Sequence, residues 1–598
     1  MTPENLLSEW ARLLVVSLAD AGLRDVVVSP GSRSTPLVAA ALAAGRLRVH
    51  SVIDERSAAF FALGRAKATG LPSAVICTSG SAAANYLPAI VEAASARVPL
   101  LVLTADRPFE LHDCGAPQTM DQTRLYGAHV RRFVDLGMPE SERSALIALR
   151  RRAVQCLADT LAPVAGPVHI NVRARKPLEP VVGGSDGARS LTRTVDELLG
   201  SAPTRVERGV TKPAPALVDD VTRALRPPSR GLIVCGPAEI GAASTGAELC
   251  GLARATGFPV YAETTSQLRH AGTKELPEAL RLDALDVLLR VPRFRASFAP
   301  DVVLSLGEPP TSAAWERFVV EHPAVERHVL TQGGWPDPSS TARTLLLADP
   351  KENLRELLAA VGDRQAPATP WVSALSRAND AAWSAVDEVV GPEGTLSEGA
   401  ALRAIVRALP PGALLGVGNS LPVRHADVFS RSRPSADIAV WSQRGVSGID
   451  GVVSGAAGAA DASGRPTVLV VGDVSALHDM GGFAVARDVG APFVVVVLNN
   501  GGGRIFEQLP LAAAGLDAAA ERYWTTPHQA RFDALASTFG IPHAKAGSVA
   551  TLVAALHDGL RRPGCTLLEA TVPDHGAREQ YARLLAATDA ALVALGGA

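Results

Sequence analysis

Two apolar runs in the last third of the chain each end in side chains that carry oxygen ligands. The run TVLVVGD ends at Asp473, and the next such run, FVVVVLNN, ends at Asn499 and Asn500. Ligands of parallel sheets bind beyond the carboxyl ends of the strands, so Asp473 and Asn500 can reach one ion if the two strands are neighbours. A carboxylate, an amide oxygen, a carbonyl of the following glycine turn and phosphate oxygens suit magnesium. The sequence predicts such a site, although each feature alone also fits a helix cap or a simple turn.

The elements that must position these residues form three successive series. In each series, short β-branched or aliphatic runs alternate with helical stretches of small and apolar residues. Strands buried on both faces read as continuous apolar runs, so each series predicts a parallel sheet covered by helices. We therefore expect an α/β protein with three consecutive parallel-sheet domains, over residues 1–185, 210–362 and 370–598. Stretches rich in Gly, Ser, Thr, Arg or Pro at 183–213 and 362–370 are expected to be linkers.

The predicted strands are the runs with the most continuous apolar character. They are DVVVSP, VHSVID, SAVICTS, PLLVLTADR and GPVHINVR in the first domain, GLIVCGP, FPVYAET, DVVLSLGEPP and VERHVLTQ in the second, and GALLGVGNS, IAVWSQ, TVLVVGD, FVVVVLNN and GCTLLEATV in the third.

Composition narrows the class of protein. A chain of 598 residues needs more than one core, and its formal net charge of -2 indicates neither a nucleic-acid surface nor a polybasic membrane contact. No apolar run reaches membrane-spanning length, and the acidic start MTPENLLSEW lacks the basic residues of a signal peptide. The six cysteines are scattered without a C-x-x-C pair, as is typical of reduced thiols. We expect a cytoplasmic protein.

The G-D pair followed by N-N resembles the fingerprint of thiamin diphosphate-dependent enzymes of the decarboxylase type. The resemblance implies that Asp473, Asn500 and the carbonyl of Gly502 hold Mg²⁺ or Mn²⁺ against the cofactor's diphosphate. It makes 370–598 the diphosphate- and magnesium-binding domain. The further cofactor contacts that it implies in this domain are Ser420, Gly472, Val474, Ser475, Ile505 and Phe506.

A glutamate of the first domain matches a second feature of the same enzymes. VIDERSAAFF places Glu55 after a strand and at the start of a helix, and the T-S-G turn of the family follows at 78–80. A glutamate in a first helical turn is otherwise explained by the helix dipole alone. By resemblance, Glu55 hydrogen-bonds the cofactor's aminopyrimidine and promotes its activation. The stretch 1–185 is then the pyrimidine-binding domain.

Five longer stretches resemble one family more closely, the 2-succinyl-5-enolpyruvyl-6-hydroxy-3-cyclohexene-1-carboxylate synthases of menaquinone biosynthesis. These stretches are VVVSPGSRSTPL, LTADRPFELHDCGAPQTMDQ, GNSLPVRHAD, QRGVSGIDG and NNGGGRIFEQLP. The resemblance implies a transferase that decarboxylates 2-oxoglutarate and adds the succinyl carbanion equivalent to isochorismate in a 1,4 fashion. It also implies a homodimer, or a dimer of dimers, with the active site at the subunit interface.

The substrates that this resemblance implies are dicarboxylates, for which arginine forks are the natural partners. Four arginines lie inside the five stretches and are the predicted substrate contacts: Arg33, Arg107, Arg424 and Arg444. By resemblance, further polar contacts come from Ser32, Gln118 and Ser420, and an apolar wall from Ile505, Phe506 and Leu509. The residues predicted to carry the reaction are Glu55, Arg33, Arg107, Gln118, Arg424 and Arg444.

Two other functions fit the same sequence less well. An acetohydroxyacid-synthase-like decarboxylase or carboligase has no need of four arginines and usually carries flavin in its middle domain. A catalytically inactive nucleotide-binding scaffold on the same fold is the second alternative, because a fold does not fix a function. Intact Glu55, Asp473 and Asn500 argue against this second alternative.

Overall fold

The computed structural model describes residues 2–226, 230–362, 364–391, 396–511 and 514–596. Its strands form three separate sheets, and all the paired strands are parallel. The first sheet contains β1 (Asp25–Val28), β2 (Arg48–Ser51), β3 (Ser73–Cys77), β4 (Leu100–Asp106), β5 (Arg132–Asp135) and β6 (Pro167–Arg173). The second contains β7 (Gly231–Cys235), β8 (Val260–Ala262), β9 (Val302–Leu306), β10 (Glu326–Thr331) and β11 (Ala342–Leu347). The third contains β12 (Leu414–Val417), β13 (Ala439–Trp441), β14 (Thr467–Gly472), β15 (Pro492–Asn499), β16 (His543–Ala546) and β17 (Gly564–Thr571). The predicted fold class is confirmed.

The first and third sheets have the same strand order relative to the chain. The first runs β2-β1-β3-β4-β6-β5 and the third runs β13-β12-β14-β15-β17-β16. The second runs β11-β10-β9-β7-β8. In the third sheet β14 pairs with β15, with Gly472 opposite Leu498, so the two strands that end in oxygen ligands are indeed neighbours.

Helices connect the strands throughout the chain. In the part that carries the first sheet they are α1 (Leu6–Asp20), α2 (Thr35–Ala43), α3 (Glu55–Thr69), α4 (Ser81–Ala84), α5 (Leu87–Ser95), α6 (Arg143–Asp159) and α7 (Asp186–Gly200). Around the second sheet they are α8 (Pro215–Leu225), α9 (Gly246–Thr256), α10 (Leu285–Arg290), α11 (Pro292–Ser297), α12 (Ala313–Glu321) and α13 (Pro350–Val361). In the remaining part they are α14 (Pro370–Val390), α15 (Glu398–Ala408), α16 (Leu421–Phe429), α17 (Val452–Ser463), α18 (Asp473–His478), α19 (Gly482–Ala486), α20 (Asp517–Ala520), α21 (Phe532–Phe539), α22 (Val549–Leu560) and α23 (Gly576–Ala594).

The inner strands of the third sheet are apolar because both of their faces are covered. Every side chain of 468–471 and of 493–497 is fully buried. Burying one such valine contributes about 1.5 to 3 kcal/mol relative to leaving it exposed. This burial holds β14 and β15 in register and thereby fixes where their polar ends lie.

One expectation about a linker is wrong. The stretch 183–213 was expected to lack regular structure, but α7 occupies much of it, with Ala188, Leu191, Val195 and Leu198 buried. These apolar residues recur at helical spacing among many small polar ones, so the average composition hides an amphipathic helix. In the described part of the chain, no helix is long and apolar enough to cross a membrane.

The chain divides into two compact units. The first comprises Met1–Gly209, Gln443–Gly464 and His478–Val489, and the second comprises Val210–Ser442, Arg465–Leu477 and Gly490–Ala598. The three sheets fall within the three predicted domain ranges, whose boundaries stay a prediction.

Helix α3, which begins at Glu55, packs closely on α17 inside the first unit. A β-carbon on Gly64 of α3 would overlap the carbonyl oxygen of Gly455 in α17. A β-carbon on Gly458 would likewise overlap the carbonyl of Phe61. The two backbones therefore touch at glycines, and the contact fixes the helix that carries Glu55.

We predict that Gly64→Ala destabilises the first unit, because the added methyl meets backbone that no side-chain rotation can move away. Overpacking of this kind costs about 1 to 3 kcal/mol, more than the helix propensity that alanine adds. The temperature of thermal unfolding measures the effect. Gly200→Ala is the matched control, since Gly200 ends α7 with no atom within 4 Å of its added β-carbon. Equal unfolding temperatures for the two variants would contradict the packing.

Candidate functional site

The carboxyl edge of the third sheet, in the second unit, holds a pocket. It lies where β12 and β14 end, which is the point at which successive strands turn to opposite sides of the sheet. Open α/β sheets bind ligands at such points. The pocket together with its open mouth spans about 350 Å³. Its lining residues are Glu398, Ser420, Leu421, Pro422, Gly472, Asp473, Val474, Ser475, Leu498, Asn500, Gly502, Gly503, Arg504 and Ile505.

Asp473 lies at the floor of this pocket, directly after β14, and is almost completely buried. One carboxylate oxygen, Oδ1, accepts the N–H of Val474 at 2.7 Å, and Oδ2 accepts the N–H of Gly502 at 3.0 Å. Nε2 of His528 lies 3.3 Å from Oδ2. Burial raises the pKa of Asp473 above its usual range, and these hydrogen bonds only partly oppose that effect. A buried carboxylate of this kind gains from a bound cation.

Asn500 presents an oxygen to the same pocket. Its Nδ2 donates to Oε1 of Glu398 at 2.8 Å, while its buried Oδ1 has no hydrogen-bond partner among the residues that the structure describes. Its neighbour Asn499 differs, since Nδ2 donates to Glu569 and Oδ1 accepts the N–H of Gly501 at 3.2 Å. Asn499 thus shapes the turn. Because buried polar atoms normally have a partner, the free Oδ1 of Asn500 indicates a place for a ligand.

Gly502 closes the turn against Asp473. Its φ of +149° and the 2.6 Å that would separate an added β-carbon from the carbonyl oxygen of Thr525 both require glycine. Its carbonyl accepts the N–H of Arg504 at 2.9 Å, which leaves a second lone pair for a cation.

The donors of this pocket are hard oxygens, which suit Mg²⁺ or Mn²⁺ together with phosphate. In the described residues, no group of three or more His, Cys, Asp or Glu side chains could hold a metal. The pocket therefore fits an ion that takes few protein ligands and completes its shell with a phosphorylated ligand.

Ser420 forms a third wall in a strained conformation. It follows β12 with φ of +74°, which is unusual for a residue other than glycine, and it precedes α16. Nη1 of Arg424, one turn into that helix, donates to the carbonyl of Ser420 at 2.6 Å. This contact places the half-buried Arg424 beside the pocket.

Two residues predicted to form an apolar wall lie outside the lining. Phe506 and Leu509 are 39% and 46% exposed. They belong to a loop in which Arg504 is held by Glu507 at 3.0 Å and Glu521 at 3.3 Å. Their role stays a prediction.

The first unit carries the remaining predicted residues, beginning with Glu55. Glu55 is half-buried and is the first residue of α3. The preceding Asp54 caps this helix by accepting the N–H of Ser57 at 2.9 Å. The cap leaves the carboxylate of Glu55 at the helix N-terminus, where a negative charge is favourable.

Arg33 and Arg107 form a buried cationic pair at the carboxyl edge of the first sheet. Nη1 of Arg33 donates to the carbonyl of Ala174 at 2.7 Å, and Nη1 of Arg107 donates to Oγ of Ser79 at 2.9 Å. Burial lowers the pKa of Arg33, and the nearby charge of Arg107 lowers it further. Among the described residues, neither guanidinium has a carboxylate within salt-bridge distance. The pair therefore attracts anions.

Gln118 and the T-S-G turn support this pair. Gln118 has φ of +56°, donates from Nε2 to the carbonyl of Ser79 at 3.2 Å, and accepts Oγ–H of Ser79 at its own backbone carbonyl at 3.1 Å. The N–H of Gly80 donates to Oε1 of Gln122 at 3.0 Å. Ser32 is exposed at the start of the neighbouring turn, next to Arg33.

Arg444 lies in a loop that α5 anchors. Oε1 and Oε2 of the buried Glu92 accept the N–H groups of Gly445 at 2.8 Å and Val446 at 2.7 Å. Ser95 donates to the carbonyl of Gly445 at 2.7 Å. The backbone next to the half-buried Arg444 is therefore fixed by the contacts of Gly445 and Val446.

The predicted residues fall into two groups, one in each compact unit. The first unit holds Ser32, Arg33, Glu55, Arg107, Gln118 and Arg444, and the second holds the pocket residues with Arg424. Sequence reasoning missed Glu92, Glu398 and His528, which support other residues of the two groups. Only Glu92 gave a signal, as an acid inside the apolar run LPAIVEAAS of α5.

Comparisons with known proteins match two parts of the chain. Residues 9–125 match the thiamine pyrophosphate enzyme N-terminal TPP binding domain, and residues 423–570 match the corresponding C-terminal TPP binding domain. The chain is similar to a protein of Sorangium cellulosum named 2-succinyl-5-enolpyruvyl-6-hydroxy-3-cyclohexene-1-carboxylate synthase, with 44% identity over 100% of this chain and 98% of that protein. Proteins of the same name are 39% identical in Halobacterium salinarum, over 98% of both chains, and 40% identical in Geobacillus kaustophilus, over 90% of this chain and 91% of the relative.

We predict that Asp473→Ala weakens magnesium-dependent binding of thiamin diphosphate, because it removes the carboxylate that is predicted to bind the ion. Loss of a group that merely supports a metal ligand costs roughly 10- to 100-fold in affinity, so loss of the ligand should cost at least that much. Calorimetric titration with the cofactor at fixed magnesium concentration measures the change. Asp488→Ala, which removes an exposed carboxylate paired with Arg487, is the control. Wild-type affinity in Asp473→Ala would remove Asp473 from the metal site.

Proposed function

The chain belongs to the thiamin diphosphate-dependent family of 2-succinyl-5-enolpyruvyl-6-hydroxy-3-cyclohexene-1-carboxylate synthases, and from that premise we propose its reaction and the roles of its residues. It decarboxylates 2-oxoglutarate and transfers the succinyl unit to isochorismate by 1,4-addition, as a transferase of menaquinone biosynthesis. The observation that carries this proposal is the full-length similarity to synthases of that name, at 44% identity in one case. The pocket of Asp473 and Asn500 supports it from the chemistry.

In this proposal, three groups of the second unit hold a magnesium ion against the cofactor's diphosphate. They are the carboxylate of Asp473, the unpartnered Oδ1 of Asn500 and the carbonyl of Gly502. Thiamin diphosphate, when bound, supplies the electron sink that makes loss of carbon dioxide and carbon–carbon bond formation possible. The backbone N–H of Ser475, in the first turn of α18, would donate to the phosphate oxygens, whereas the N–H of Val474 already donates to Oδ1 of Asp473. Manganese fits the same oxygen donors.

Glu55 is the proposed proton-transfer group. Its carboxylate holds a proton against a ring nitrogen of the cofactor's aminopyrimidine and so adjusts the basicity of the exocyclic amino group. Its position at the N-terminus of α3 supports this role, since the helix keeps the carboxylate at a fixed place. The close packing of α3 on α17 rigidifies that place further.

The arginines are proposed to hold the carboxylates of the two substrates. Arg33 and Arg107 support this most directly, because they are buried near each other and, among the described residues, neither guanidinium has a carboxylate within salt-bridge distance; the charge of the buried Asp106 only partly offsets theirs. Arg424 and Arg444 would contribute the remaining forks. An anionic substrate relieves the repulsion of paired buried cations, which makes the binding selective for dianions.

The proposed assembly is a homodimer, or a dimer of dimers, in which the site combines residues of two chains. Exposed apolar side chains flank the start of α3 in the first unit, namely Ile53 at 82% and Met480 at 47% exposure. A cytoplasmic location is proposed as well, and six free thiols agree with it.

We predict that the wild-type chain uses 2-oxoglutarate and discriminates against pyruvate as donor, with isochorismate as acceptor. A hydrogen bond to a charged group contributes about 1.5 to 3 kcal/mol. Pyruvate lacks the distal carboxylate of 2-oxoglutarate, so its kcat/KM should be roughly ten- to a hundredfold lower or more. Isochorismate consumption, followed by absorbance with each donor, measures the ratio. Equal use of both donors would favour an acetohydroxyacid-synthase-like reaction and contradict the proposal.

Arginine variants test which residues bind the substrate carboxylates. Arg33→Ala and Arg107→Ala should each weaken the apparent affinity for isochorismate, for 2-oxoglutarate or for both by a similar factor, while affinity for thiamin diphosphate stays close to wild type. Lysine at either position should recover only part of the loss, because a point charge does not reproduce a bidentate fork. Steady-state kinetics with each substrate varied in turn measures the change. Arg531→Ala, which removes an exposed arginine paired with Asp533, is the control. Unchanged kinetics in Arg33→Ala and Arg107→Ala would exclude these two residues from substrate binding.

A mixing experiment tests the shared site. Glu55→Gln and Asp473→Ala are each expected to be nearly inactive, for different reasons. If one site takes Glu55 from one chain and Asp473 from the other, hybrid dimers contain some sites with both intact residues. We therefore expect mixed subunits to recover a part of the wild-type activity. No recovery after demonstrated subunit exchange would indicate a site within one chain.

A further inference from the structure

Glu398 is a buried carboxylate that touches a predicted metal ligand but has no part in the proposed reaction. It is the first residue of α15 and is 3% exposed. Oε1 accepts Nδ2–H of Asn500 at 2.8 Å, and Oε2 lies 3.2 Å from Nδ1 of His425. Burying a carboxylate costs free energy unless hydrogen bonds or an opposite charge compensate, so these contacts matter to the fold or to the site.

The backbone on both sides of Glu398 is clamped. The side chain of Gln580 in α23 donates to Oγ of Ser397 at 2.9 Å and accepts the N–H of Gly399 at 3.2 Å. Ser397 also caps α15 by accepting the N–H of Ala400. The carboxylate thus comes from a fixed point of the fold, which is what a side chain that orients another must provide.

A carboxylate can orient an amide because it only accepts hydrogen bonds. Nδ2 of Asn500 can face Oε1 of Glu398, but Oδ1 cannot, since two acceptor oxygens 2.8 Å apart repel. Glu398 therefore decides which end of the amide points to the pocket. The other end of the amide is Oδ1, which is buried and has no hydrogen-bond partner in the described part of the chain.

We propose that Glu398 is a positioning residue that fixes the amide of Asn500 with Oδ1 turned to the magnesium ion. The inference rests on the proposed function, since it takes Oδ1 as a metal ligand. It adds a supporting group that determines whether Asn500 can act as one. Groups that orient metal ligands in this way affect affinity strongly although they never touch the ion.

The adjacent asparagine supplies an internal comparison. Asn499 also donates from Nδ2 to a buried glutamate, Glu569, at the same distance of 2.8 Å. Its Oδ1, however, is used by the N–H of Gly501 and does not line the pocket. Two neighbouring Asn–Glu pairs with the same donor–acceptor distance thus differ in whether the amide oxygen is left for a ligand.

The test is the affinity of the full-length chain for Mn²⁺ in excess thiamin diphosphate, read from the EPR signal of free Mn²⁺. The variants are Glu398→Ala, Glu398→Leu and Glu398→Gln, with Glu569→Ala as the matched control. Leucine fills the volume of the side chain without an acceptor, so it replaces alanine if the smaller side chain prevents folding. Thermal unfolding of each variant separates loss of stability from loss of metal affinity.

Glu398→Ala and Glu398→Leu should weaken Mn²⁺ binding roughly 10- to 100-fold. Glu398→Gln and Glu569→Ala should stay within about threefold of wild type, because the glutamine carbonyl still accepts Nδ2–H and Asn499 is not a ligand. Wild-type affinity in Glu398→Ala or Glu398→Leu would overturn the inference. So would an equal loss in Glu569→Ala, or a loss in Glu398→Gln as large as in Glu398→Leu, which would indicate an effect of charge alone. Failure of the wild-type chain to bind Mn²⁺ with thiamin diphosphate would instead refute the proposed cofactor site.

Discussion

The hydrogen bond from Gly502 to the carboxylate of Asp473 joins the ends of two neighbouring strands, and the rest of the pocket depends on it. It brings the turn after β15 over the end of β14, with donor and acceptor 3.0 Å apart. The same turn places Asn500, whose unpartnered Oδ1 then belongs to the same pocket as Asp473. The buried valines of the two strands supply the energy that holds this polar edge in place. Desolvation of Asp473 is the cost, and a bound cation offsets it.

The same strand order presents two different sets of polar residues in the two compact units. The first and third sheets have one strand order, and each presents polar residues at its carboxyl edge. In the second unit these residues are oxygen acceptors suited to a cation with phosphate. In the first unit they are Arg33, Arg107 and a glutamate on a rigid helix, suited to anions and to proton transfer. The division of labour follows from side chains at equivalent places in a shared fold, because the fold itself does not determine the chemistry.

The sequence predicted the inner strands and the edge strands β2, β8 and β13, and it missed three other strands at the sheet edges. β5, β11 and β16 each lie at the end of a sheet and have one partner strand. Their runs RFVD, ARTLLL and HAKA mix polar with apolar residues, because one side of an edge strand faces solvent or loops. None of these three runs contains a long continuous apolar stretch with β-branched residues, so they gave no strand signal. Helix α7 was not predicted for a related reason, since only four of its residues are buried and the rest are mostly polar or small.

The sequence alone suggests the proposed ligands of the site, but it does not suggest the residues that contact them. Asp473 and Asn500 stand out because each breaks an apolar run at a strand end. Glu398 looks like any acid in a first helical turn, and only the fold brings it to Asn500 from a distant part of the chain.

The central claim concerns the place of the ion. Crystals grown with thiamin diphosphate and Mn²⁺ should show an anomalous peak at a distance of about 2.0 to 2.3 Å from Asp473, Oδ1 of Asn500 and the carbonyl of Gly502. A peak elsewhere, or bound cofactor with no peak between these three groups, would contradict the account.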